Sequence, residues 1–269
     1  MDFWTHFKDK EHLLIAHRGA RAFRAENTLS AFEKAVGKCD AIEFDVGFSK
    51  DGVALILHDD TLERTSDVQN HPEFSKPFRL VDYTYEELLK LDFSSWFLQT
   101  DPFLSIKNGL VSSLELEKLP IQRILKLEEL LVFLRQNDMY ANLEIKDLSG
   151  TKFETTGVEE ILKILKKTNT QERILISSFN HKHLQEAYKL SPNIPLAALV
   201  ENEHPQDLIE YLTSLHVKAY NPDFEITDEA LIKELKRAGF FVNVFTVNEK
   251  SDIKKLFNWG AKSVFSDYV

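Results

Sequence analysis

Two pairs of charged residues occur at a spacing of two within apolar stretches of the sequence. Glu43 and Asp45 form the first pair, and Glu144 and Lys146 form the second. Residues two apart on a β-strand lie on the same face, so the members of each pair should point into one common space. Both pairs lie near the end of their stretch, and we expect them at the carboxyl ends of two strands.

Histidines close two further apolar stretches. His17 and Arg18 follow the first of these stretches, and His58 follows another. Two imidazoles beside one phosphorus atom would serve as general base and general acid around neutral pH. Arg18 and Lys146 suit phosphate oxygens, arginine through its planar fork and lysine as a point charge. These residue types predict chemistry on a phosphate ester.

The acidic residues of this set need a partner. The carboxylates of Glu43, Asp45 and Glu144 cannot share a small buried space unaided, because their charges repel one another. Either some of them are protonated or a hard divalent cation binds between them. Oxygen ligands favour Mg²⁺ or Ca²⁺ over zinc, and Mn²⁺ is a further candidate. We expect one such cation, which would also attract an anionic substrate.

Short apolar runs alternate with amphipathic segments along most of the chain, a pattern typical of βαβ units and a parallel sheet. Strands are predicted at residues 12–16, 41–46, 53–58, 139–145, 173–177, 194–200, 217–220, 240–246 and 262–265. Helices are predicted at 28–36, 85–91, 127–135, 154–167, 181–190, 205–214, 228–238 and 250–258. With 53–58 as an extra strand, eight strands remain for a (β/α)₈ TIM barrel. We prefer this closed barrel to an open doubly wound sheet, because no glycine-rich phosphate turn follows the first strand.

Residues 69–119 interrupt the alternation. We interpret them as a small insertion near the barrel mouth, too short for a core of its own, so that residues 1–269 form a single barrel domain. The sequence shows no clear apolar groove for an acyl chain, although Phe93, Trp96, Phe97, Phe103 and Leu104 are candidates for an apolar patch in the insertion. No helix is predicted after the last strand, and residues 2–10 are expected to cover that side of the barrel.

Composition narrows the classes of partner. The chain has 269 residues, a formal net charge of -10 and one cysteine, Cys39. The negative charge argues against a general nucleic-acid binder and against adhesion to anionic membranes. The sequence contains no run approaching the ~20 apolar residues of a membrane span, so stable membrane insertion is not expected. We expect a cytoplasmic protein with a small-molecule substrate, and a homodimer is compatible with the sequence.

Several ordered motifs resemble the glycerophosphodiester phosphodiesterase family. The first four are Ile15-Ala16-His17-Arg18-Gly19, Glu26-Asn27-Thr28, Glu43-Phe44-Asp45-Val46 and His58-Asp59-Asp60-Thr61-Leu62-Glu63-Arg64-Thr65. Later matches are Leu143-Glu144-Ile145-Lys146, Ser177-Ser178-Phe179, Val242-Asn243-Val244-Phe245-Thr246-Val247-Asn248 and Phe265-Ser266-Asp267-Tyr268. The resemblance spans nearly the whole chain, and the order of the first four motifs is its most specific part.

The resemblance implies a (β/α)₈ barrel, a divalent metal, and hydrolysis of a glycerophosphodiester to glycerol 3-phosphate and an alcohol. Glu43, Asp45 and Glu144 match the family's metal carboxylates. His17 and His58 match the catalytic pair, and Arg18 and Lys146 match the phosphate-binding cations.

Four other residues are assigned to the site with an alternative beside each. Phe179 and Phe245 are expected to form substrate-binding pocket walls, and barrel packing is the alternative. Glu26 and Asn27 are expected to support the site, and helix capping is the alternative for Asn27. Relatives often carry tryptophan at the position of Phe245.

In the mechanism that we expect, one histidine takes a proton from the attacking group and the other protonates the departing alkoxide. The nucleophile is water or the glycerol 2-hydroxyl, and the sequence does not assign acid and base between the histidines. Alternatives within the same chemistry are a lysophospholipase D-like or a phosphoinositide-cleaving activity. A non-catalytic phosphate-ester binding barrel would have lost a histidine or a metal carboxylate. A barrel isomerase or lyase acting on a sugar would not need both Arg18 and Lys146.

Overall fold

A closed barrel of parallel strands forms the centre of the protein in the computed structural model, which describes residues 2–269. Its eight strands within those residues are β1 (Leu13–Ala16), β2 (Ala41–Phe48), β4 (Tyr140–Ile145), β5 (Ile174–Ser178), β6 (Leu196–Val200), β7 (Ala219–Pro222), β8 (Phe241–Val244) and β9 (Ser263–Ser266). Strand β1 pairs in parallel with both β2 and β9, which closes the ring. The short β3 (Ala54–Ile56) pairs antiparallel with β2. The predicted (β/α)₈ barrel with one extra strand is confirmed.

Helices follow the barrel strands on the outside. They are α2 (Leu29–Ala35), α6 (Leu127–Gln136), α7 (Gly157–Thr168), α8 (His181–Leu190), α9 (Leu208–Ser214), α10 (Glu229–Arg237) and α11 (Lys250–Trp259). Each turns an apolar stripe towards the sheet; in α10, for example, Ile232 and Leu235 are fully buried one turn apart. The main hydrophobic core therefore lies between the strands and these helices.

Side chains inside the barrel follow the two-residue period of the strands. On β2, Ala41, Glu43 and Asp45 alternate with Ile42 and Phe44, and the latter two belong to the outer core. Inward positions at the amino ends of the strands are mostly apolar, with Ser263 of β9 as an exception, and inward positions at the carboxyl ends are charged or aromatic. The barrel therefore has an apolar bottom and a polar mouth, the end where such barrels place their sites.

The amino-terminal segment closes the bottom of the barrel. Helix α1 (Phe3–His6) begins at Asp2, whose carboxylate accepts a hydrogen bond from the backbone N–H of Thr5 at 2.7 Å. Phe3 is fully buried among inward residues from the amino ends of the strands, and Trp4 stacks on Phe241 at 4.2 Å between ring centroids. The expectation that residues 2–10 cover the side next to the last strand is wrong, because these aromatic residues fill the open end of the barrel instead.

The insertion between β3 and β4 folds around a cluster of its own. It contains α3 (Tyr85–Leu88), α4 (Ser95–Thr100), α5 (Ser113–Glu117) and the 3₁₀ turns Val68–Asn70 and Leu80–Asp82. Its buried apolar residues pack on Leu55 and Leu57 of the β3 segment, separately from the barrel core: Leu62, Val68, Phe74, Phe78, Leu80, Leu88, Leu91, Phe93 and Ile124. The insertion was expected to lack room for a core; it obtains one by sharing the extra strand. The predicted helix 85–91 ends at Leu88, where the chain turns so that Leu91 also enters this cluster.

The five candidate residues for an apolar patch in the insertion do not form an exposed patch. Phe93, Trp96 and Phe97 are buried, and Phe103 lies half-buried under the guanidinium of Arg21 at 5.2 Å. Leu104 alone of the five predicted residues is exposed. No helix within residues 2–269 is long and apolar enough to cross a bilayer.

Candidate active site

The residue that immediately follows a barrel strand forms the mouth of the barrel on six strands. These residues come after β1, β5, β6, β7, β8 and β9, and they are His17, Phe179, Glu201, Asp223, Phe245 and Asp267. Strands β2 and β4 are longer at this end and contribute the residues that complete the ring, Asp45 and Glu144. One position per strand thus brings together side chains that lie up to 250 residues apart in sequence.

The three predicted metal carboxylates meet at this mouth. Glu43, Asp45 and Glu144 are all buried, and each offers an oxygen within 4.8 Å of the others. Parallel pairing sets Asp45 of β2 directly beside Glu144 of β4. Three acids at this separation form an all-oxygen donor set of the kind that Mg²⁺ and Ca²⁺ bind.

Their pKa values diverge because their neighbours differ. Burial and the charges of Asp45 and Glu144 raise the pKa of Glu43 well above its ordinary value. Burial and the charge of Asp45 also raise the pKa of Glu144. Burial acts on Asp45 in the same direction, but Arg18, His58 and Lys146 outweigh it and lower its pKa. Burial and the repulsion among the three acids therefore favour the protonated form of Glu43 more than that of Asp45.

One buried carboxylate oxygen of the cluster has no hydrogen-bond donor in the described part of the chain. Oδ1 of Asp45 is buried and accepts no hydrogen bond from any residue in 2–269. Its nearest cation is Nζ of Lys146, at 3.7 Å, and this ammonium donates instead to Oε1 of Glu144 at 2.7 Å. A buried carboxylate oxygen without a donor is costly, and a cation between the three acids would satisfy it. The residues present therefore fit a hard divalent ion.

His17 is held by an aspartate from the other end of the chain. Its Nδ1 lies 2.8 Å from Oδ1 of Asp267, and its Nε2 lies 4.0 Å from Oε2 of Glu43. Burial and the neighbouring charge of Arg18 lower the pKa of His17 to about 4, so the ring is neutral near pH 7. An ionised carboxylate only accepts, so the ring proton resides on Nδ1 and leaves Nε2 open towards the acids.

His58 is held in the same way by its neighbour in sequence. Its Nδ1 lies 2.6 Å from Oδ1 of Asp59. Asp59 also accepts hydrogen bonds from Nε and one terminal nitrogen of Arg64, at 2.6 and 2.9 Å. Both oxygens of Asp59 are therefore engaged beside the site.

Glu26 lies beneath both histidines as a shared anion. It is buried, and its carboxylate contacts Arg18 at 2.8 Å, Arg21 at 3.1 Å and Arg64 at 2.7 Å. Burial alone would raise the pKa of Glu26, but these guanidinium groups, Arg18 foremost, hold it well below its usual range. Arg21 continues to Asp267 at 3.6 Å. A chain of ion pairs therefore joins the aspartate behind one histidine to the aspartate behind the other.

The turn after β1 places Arg18 and Asn27. Gly19 has a φ of +82°, and a Cβ there would lie 2.8 Å from the backbone of Ala31 at the start of α2, so glycine is required. Thr28, not Asn27, caps α2 by accepting from the N–H of Ala31. Asn27 instead donates from Nδ2 to Oδ2 of Asp45 at 2.8 Å. Of the two interpretations of Asn27, the geometry supports the site.

A cavity of about 270 Å³ opens at this mouth. Seven predicted site residues line it: His17, Arg18, Glu43, His58, Glu144, Phe179 and Phe245. The two phenylalanine rings meet edge to face at 5.8 Å, and Phe179 is 39% exposed. The other predicted residues, Glu26, Asn27, Asp45 and Lys146, lie behind the lining and contact it through the bonds described above.

Sequence reasoning missed a buried polar layer below the cavity. Asn142 donates to Ser177 at 2.7 Å, Asn243 donates to Asn221 at 2.8 Å, and Ser263 donates to Asn243 at 2.6 Å. Asn142, Ser177, Asn221 and Asn243 each lie two residues before the mouth residue of their strand, and Ser263 pairs with Asn243 at the start of β9. The signal was present, because a single Asn or Ser takes an inward position on each of the strands β4, β5, β7, β8 and β9. Asp267, Arg21 and Asp59 were missed as partners of the histidines for a different reason: their contacts depend on the closed ring.

Comparison with known proteins agrees with this geometry. Residues 17–269 match the Glycerophosphoryl diester phosphodiesterase family. A glycerophosphodiester phosphodiesterase of Caldanaerobacter subterraneus is 32% identical over 260 residues, which cover 95% of this chain and 93% of that protein. One of Bacillus altitudinis is 31% identical over 262 residues, covering 95% and 94%.

A solved structure is similar over the same length. It is that of an Oleispira antarctica phosphodiesterase in complex with the product sn-glycerol 3-phosphate, with a TM-score of 0.79 and 30% identity. The match covers 97% of this chain and 95% of the other. From the barrel, the gathered residues of its mouth and a match that begins at His17 and ends at residue 269, this chain belongs to the glycerophosphoryl diester phosphodiesterase family.

Proposed function

We propose that this enzyme hydrolyses glycerophosphodiesters to glycerol 3-phosphate and an alcohol, with a divalent cation and two histidines. The observation that carries the proposal is the meeting of two imidazoles, three carboxylates and two cations at one barrel mouth. Relatives more than 30% identical over nearly the whole chain carry this activity in their names. The similar structure with sn-glycerol 3-phosphate supports the product.

Glu43, Asp45 and Glu144 would hold the cation. When bound, it would offset negative charge on the phosphoryl oxygens and relieve the repulsion that raises the pKa of Glu43. Mg²⁺ and Ca²⁺ both suit an all-oxygen site, with Mn²⁺ as a third candidate. Arg18 lines the same cavity and Lys146 lies behind it beside Glu144, and the two would supply positive charge for the remaining phosphate oxygens.

The lowered pKa of His17 favours one assignment of base and acid. His17 is neutral, with its proton directed to Asp267, so its open Nε2 is suited to accept a proton from the attacking hydroxyl of water or of the glycerol moiety. His58 then donates a proton to the departing alkoxide, while Asp59 and Arg64 fix its ring. The proton taken up by one ring and given up by the other balances over the reaction.

The activity is tested by measuring release of glycerol 3-phosphate from glycerophosphodiesters by the purified protein. We expect turnover in Mg²⁺, Ca²⁺ or Mn²⁺ and its loss in EDTA. His17→Ala and His58→Ala should each lower kcat by about 10²-fold or more, as removal of an acid–base group does. His216→Ala, which alters an exposed histidine stacked on Tyr188 far from the mouth, is the matched control. Near-full turnover in both active-site variants, or in EDTA, would contradict the scheme.

A lysophospholipid substrate is the second candidate. Four apolar side chains of the insertion are exposed, at 50% for Leu104, 57% for Leu110, 65% for Leu114 and 57% for Ile121. Such residues could contact an acyl chain or a lipid surface. A comparison of turnover on water-soluble glycerophosphodiesters and on lysophospholipid micelles separates the two: faster turnover on the micelles would favour the lysophospholipase D-like activity.

A further inference from the structure

Behind each histidine of the proposed mechanism lie an aspartate and then an arginine. These two rows of contacts are His17, Asp267 and Arg21, and His58, Asp59 and Arg64. The histidines line the cavity, whereas the aspartates and arginines do not. The four residues behind the histidines can therefore act on the reaction only through the imidazole rings.

The row behind His58 is fixed by the planar fork of Arg64. Nε and Nη2 of Arg64 donate to the two oxygens of Asp59 at 2.6 and 2.9 Å. Nη1 and Nη2 donate to the two oxygens of Glu26 at 3.0 and 2.7 Å. A planar guanidinium holds both carboxylates in set orientations, which a lysine ammonium cannot do. Asp59 therefore cannot turn without breaking this fork, and the His58 ring, 2.6 Å away, turns with it.

Arg21 holds the row behind His17. Its Nη1 lies 3.6 Å from Oδ1 of Asp267 and 3.2 Å from Nδ1 of His17. Its Nη2 lies 3.1 Å from Oε2 of Glu26. The guanidinium also lies over the ring of Phe103, 5.2 Å from the centroid. The orientations of Asp267 and of the His17 ring therefore depend on where Arg21 is held.

Both arginines meet at the buried carboxylate of Glu26. Its Oε1 accepts from Arg18 and Arg64 at 2.8 and 2.7 Å. Its Oε2 accepts from Arg64 at 3.0 Å and lies 3.1 Å from Arg21. Each oxygen thus has two guanidinium partners, so Glu26 cannot turn towards one arginine without loosening its contact with another. A displacement of Arg64 should therefore be transmitted to Arg21, and a displacement of Arg21 to Arg64.

From these contacts we propose that Arg21, Glu26 and Arg64 form one bridge that positions the general base and the general acid together. Arg21 is the positioning residue for His17, and Arg64 is the positioning residue for His58. Glu26 couples the two, so a change in one arm of the bridge also alters the other. The inference rests on the proposed function, in which His17 is the base and His58 is the acid.

The two arms can be separated with two diesters that differ in the alcohol that departs. Choline leaves glycerophosphocholine as an alkoxide that needs a proton when its P–O bond breaks. The p-nitrophenyl ester of glycerol 3-phosphate releases p-nitrophenolate, which is stable as an anion near neutral pH and needs no general acid. Both esters need the base that activates the attacking hydroxyl. A misplaced acid should therefore slow the choline ester alone, and a misplaced base should slow both.

Arg64→Gln removes the fork behind the acid. We expect kcat for glycerophosphocholine to fall by about tenfold or more, because a misplaced acid transfers its proton poorly. For the nitrophenyl ester kcat should fall by no more than about threefold, through the loosened contact of Glu26 with Arg21. Arg64→Lys keeps the charge but not the fork, and it should restore little of the loss.

Arg21→Gln disturbs the base instead. We expect it to lower kcat for both esters by a similar factor of about tenfold. In the double variant Arg21→Gln with Arg64→Gln, the loss of kcat on glycerophosphocholine should be smaller than the product of the two single losses by about threefold or more. The reason is that each single change already releases Glu26 from part of the bridge.

Arg79→Gln is the matched control. Arg79 is exposed in the insertion, and its Nε and Nη2 donate to Asp82 at 3.1 and 2.9 Å, with the same two nitrogens that Arg64 directs at Asp59. It does not line the cavity. Its substitution should leave kcat for both esters within about twofold. Thermal melts of all variants establish that they are folded.

The bridge is supported if Arg64→Gln slows mainly the choline ester and the double variant is less impaired than the product of the single losses. Equal losses on both esters in Arg64→Gln would mean that this arginine only maintains the fold of the site, which overturns the inference. Losses that multiply in the double variant would overturn it too, because the two arms would then be independent. Full recovery in Arg64→Lys would show that charge suffices without the fork, with the same consequence.

His58→Ala separates failure of the inference from failure of the proposed function. If His58→Ala slowed both esters equally, His58 would not be the acid, and the assignment under the proposed function would be wrong. If it slowed the choline ester alone while Arg64→Gln slowed neither, the proposed function would stand and the bridge would be wrong.

Discussion

At the scale of single residues, the site depends on two aspartates that do not face the cavity. Asp267 and Asp59 each accept from Nδ1 of a histidine, at 2.8 and 2.6 Å, and so direct the other ring nitrogen of each histidine away from themselves. Burial raises the pKa of Asp267, but the hydrogen bond to His17 and the charge of Arg21 more than offset it, and the pKa is lowered. The carboxylate therefore stays ionised and fixes one tautomer of His17.

Substitution of this aspartate tests that role. In Asp267→Asn the amide can donate to Nδ1, which would place the proton on Nε2 and block its use as a base. We expect kcat to fall by about 10²-fold or more, with KM changed far less. Steady-state kinetics across pH 5 to 9 measures this. Asp252→Asn, at a half-buried acid on α11 that contacts Lys255 and lies outside the cavity, is the control. An unchanged kcat and pH profile would show that Asp267 serves only packing.

At the scale of elements, the sequence predicted the strands well. Barrel strands are short apolar runs between helix signals, and every predicted strand end lies within two residues of the observed one. The metal-type acids were predicted as a set for the same reason, since the two-residue period assigns Glu43 and Asp45 to one face. Residues 69–119 were harder, because short helices with few buried residues leave little periodicity. The position of residues 2–10 at the bottom of the barrel could not be predicted from the sequence, because an aromatic segment can fill either end of a barrel.

Helix α1 should contribute more to the stability of the protein than its length of four residues suggests. Phe3 is fully buried at the bottom of the barrel, in edge contacts with Trp4 and Phe7 at 4.9 and 5.1 Å. Phe3→Ala would leave a cavity that the surrounding strands cannot fill, and we expect it to lower the free energy of unfolding by about 3–5 kcal/mol. Urea denaturation measures the change. Lys8→Ala, an exposed neighbour, should change it by less than about 0.5 kcal/mol. If both variants unfolded alike, α1 would not close the core.

At the scale of the whole molecule, charge is distributed unevenly. The chain has a net charge of -10, yet three arginines converge on Glu26 between the barrel and the insertion. Arg24 extends this contact by pairing with Glu115 of α5. This cluster links β1, the β3 segment and the insertion around the proposed reaction centre. It could not be predicted from spacing, because its members become neighbours only when the ring is closed.

The stability of the protein at low pH should depend on this cluster around Glu26. The pKa of Glu26 is depressed in the folded protein, so the unfolded state binds the proton more readily and the contribution of Glu26 is lost as pH falls below about 4.5. We expect Glu26→Gln to be less stable than the unaltered protein by roughly 3 kcal/mol at pH 7, because three guanidinium groups lose a buried partner. The difference in unfolding free energy between Glu26→Gln and the unaltered protein should become smaller as pH falls towards 3.

Denaturant titrations at several pH values measure this difference. Glu33→Gln, at an exposed acid on α2, is the control, and its free energy of unfolding should follow that of the unaltered protein at every pH. If Glu26→Gln lowered the free energy of unfolding by the same amount from pH 7 to pH 3, the loss of stability would come from packing and not from the ion pairs.

The closing contact between β1 and β9 has a consequence for biogenesis. His17 and Asp267 are 250 residues apart, and β9 is the partner that completes the ring on one side of β1. A ribosome delivers the amino end first. Until β9 has been synthesised, one edge of β1 in the nascent chain has no partner strand. The imidazole of His17, which we assign as base, then lacks the carboxylate of Asp267 that orients it. Such a chain would be inert towards phosphodiesters until β9 and Asp267 have been translated and have joined β1.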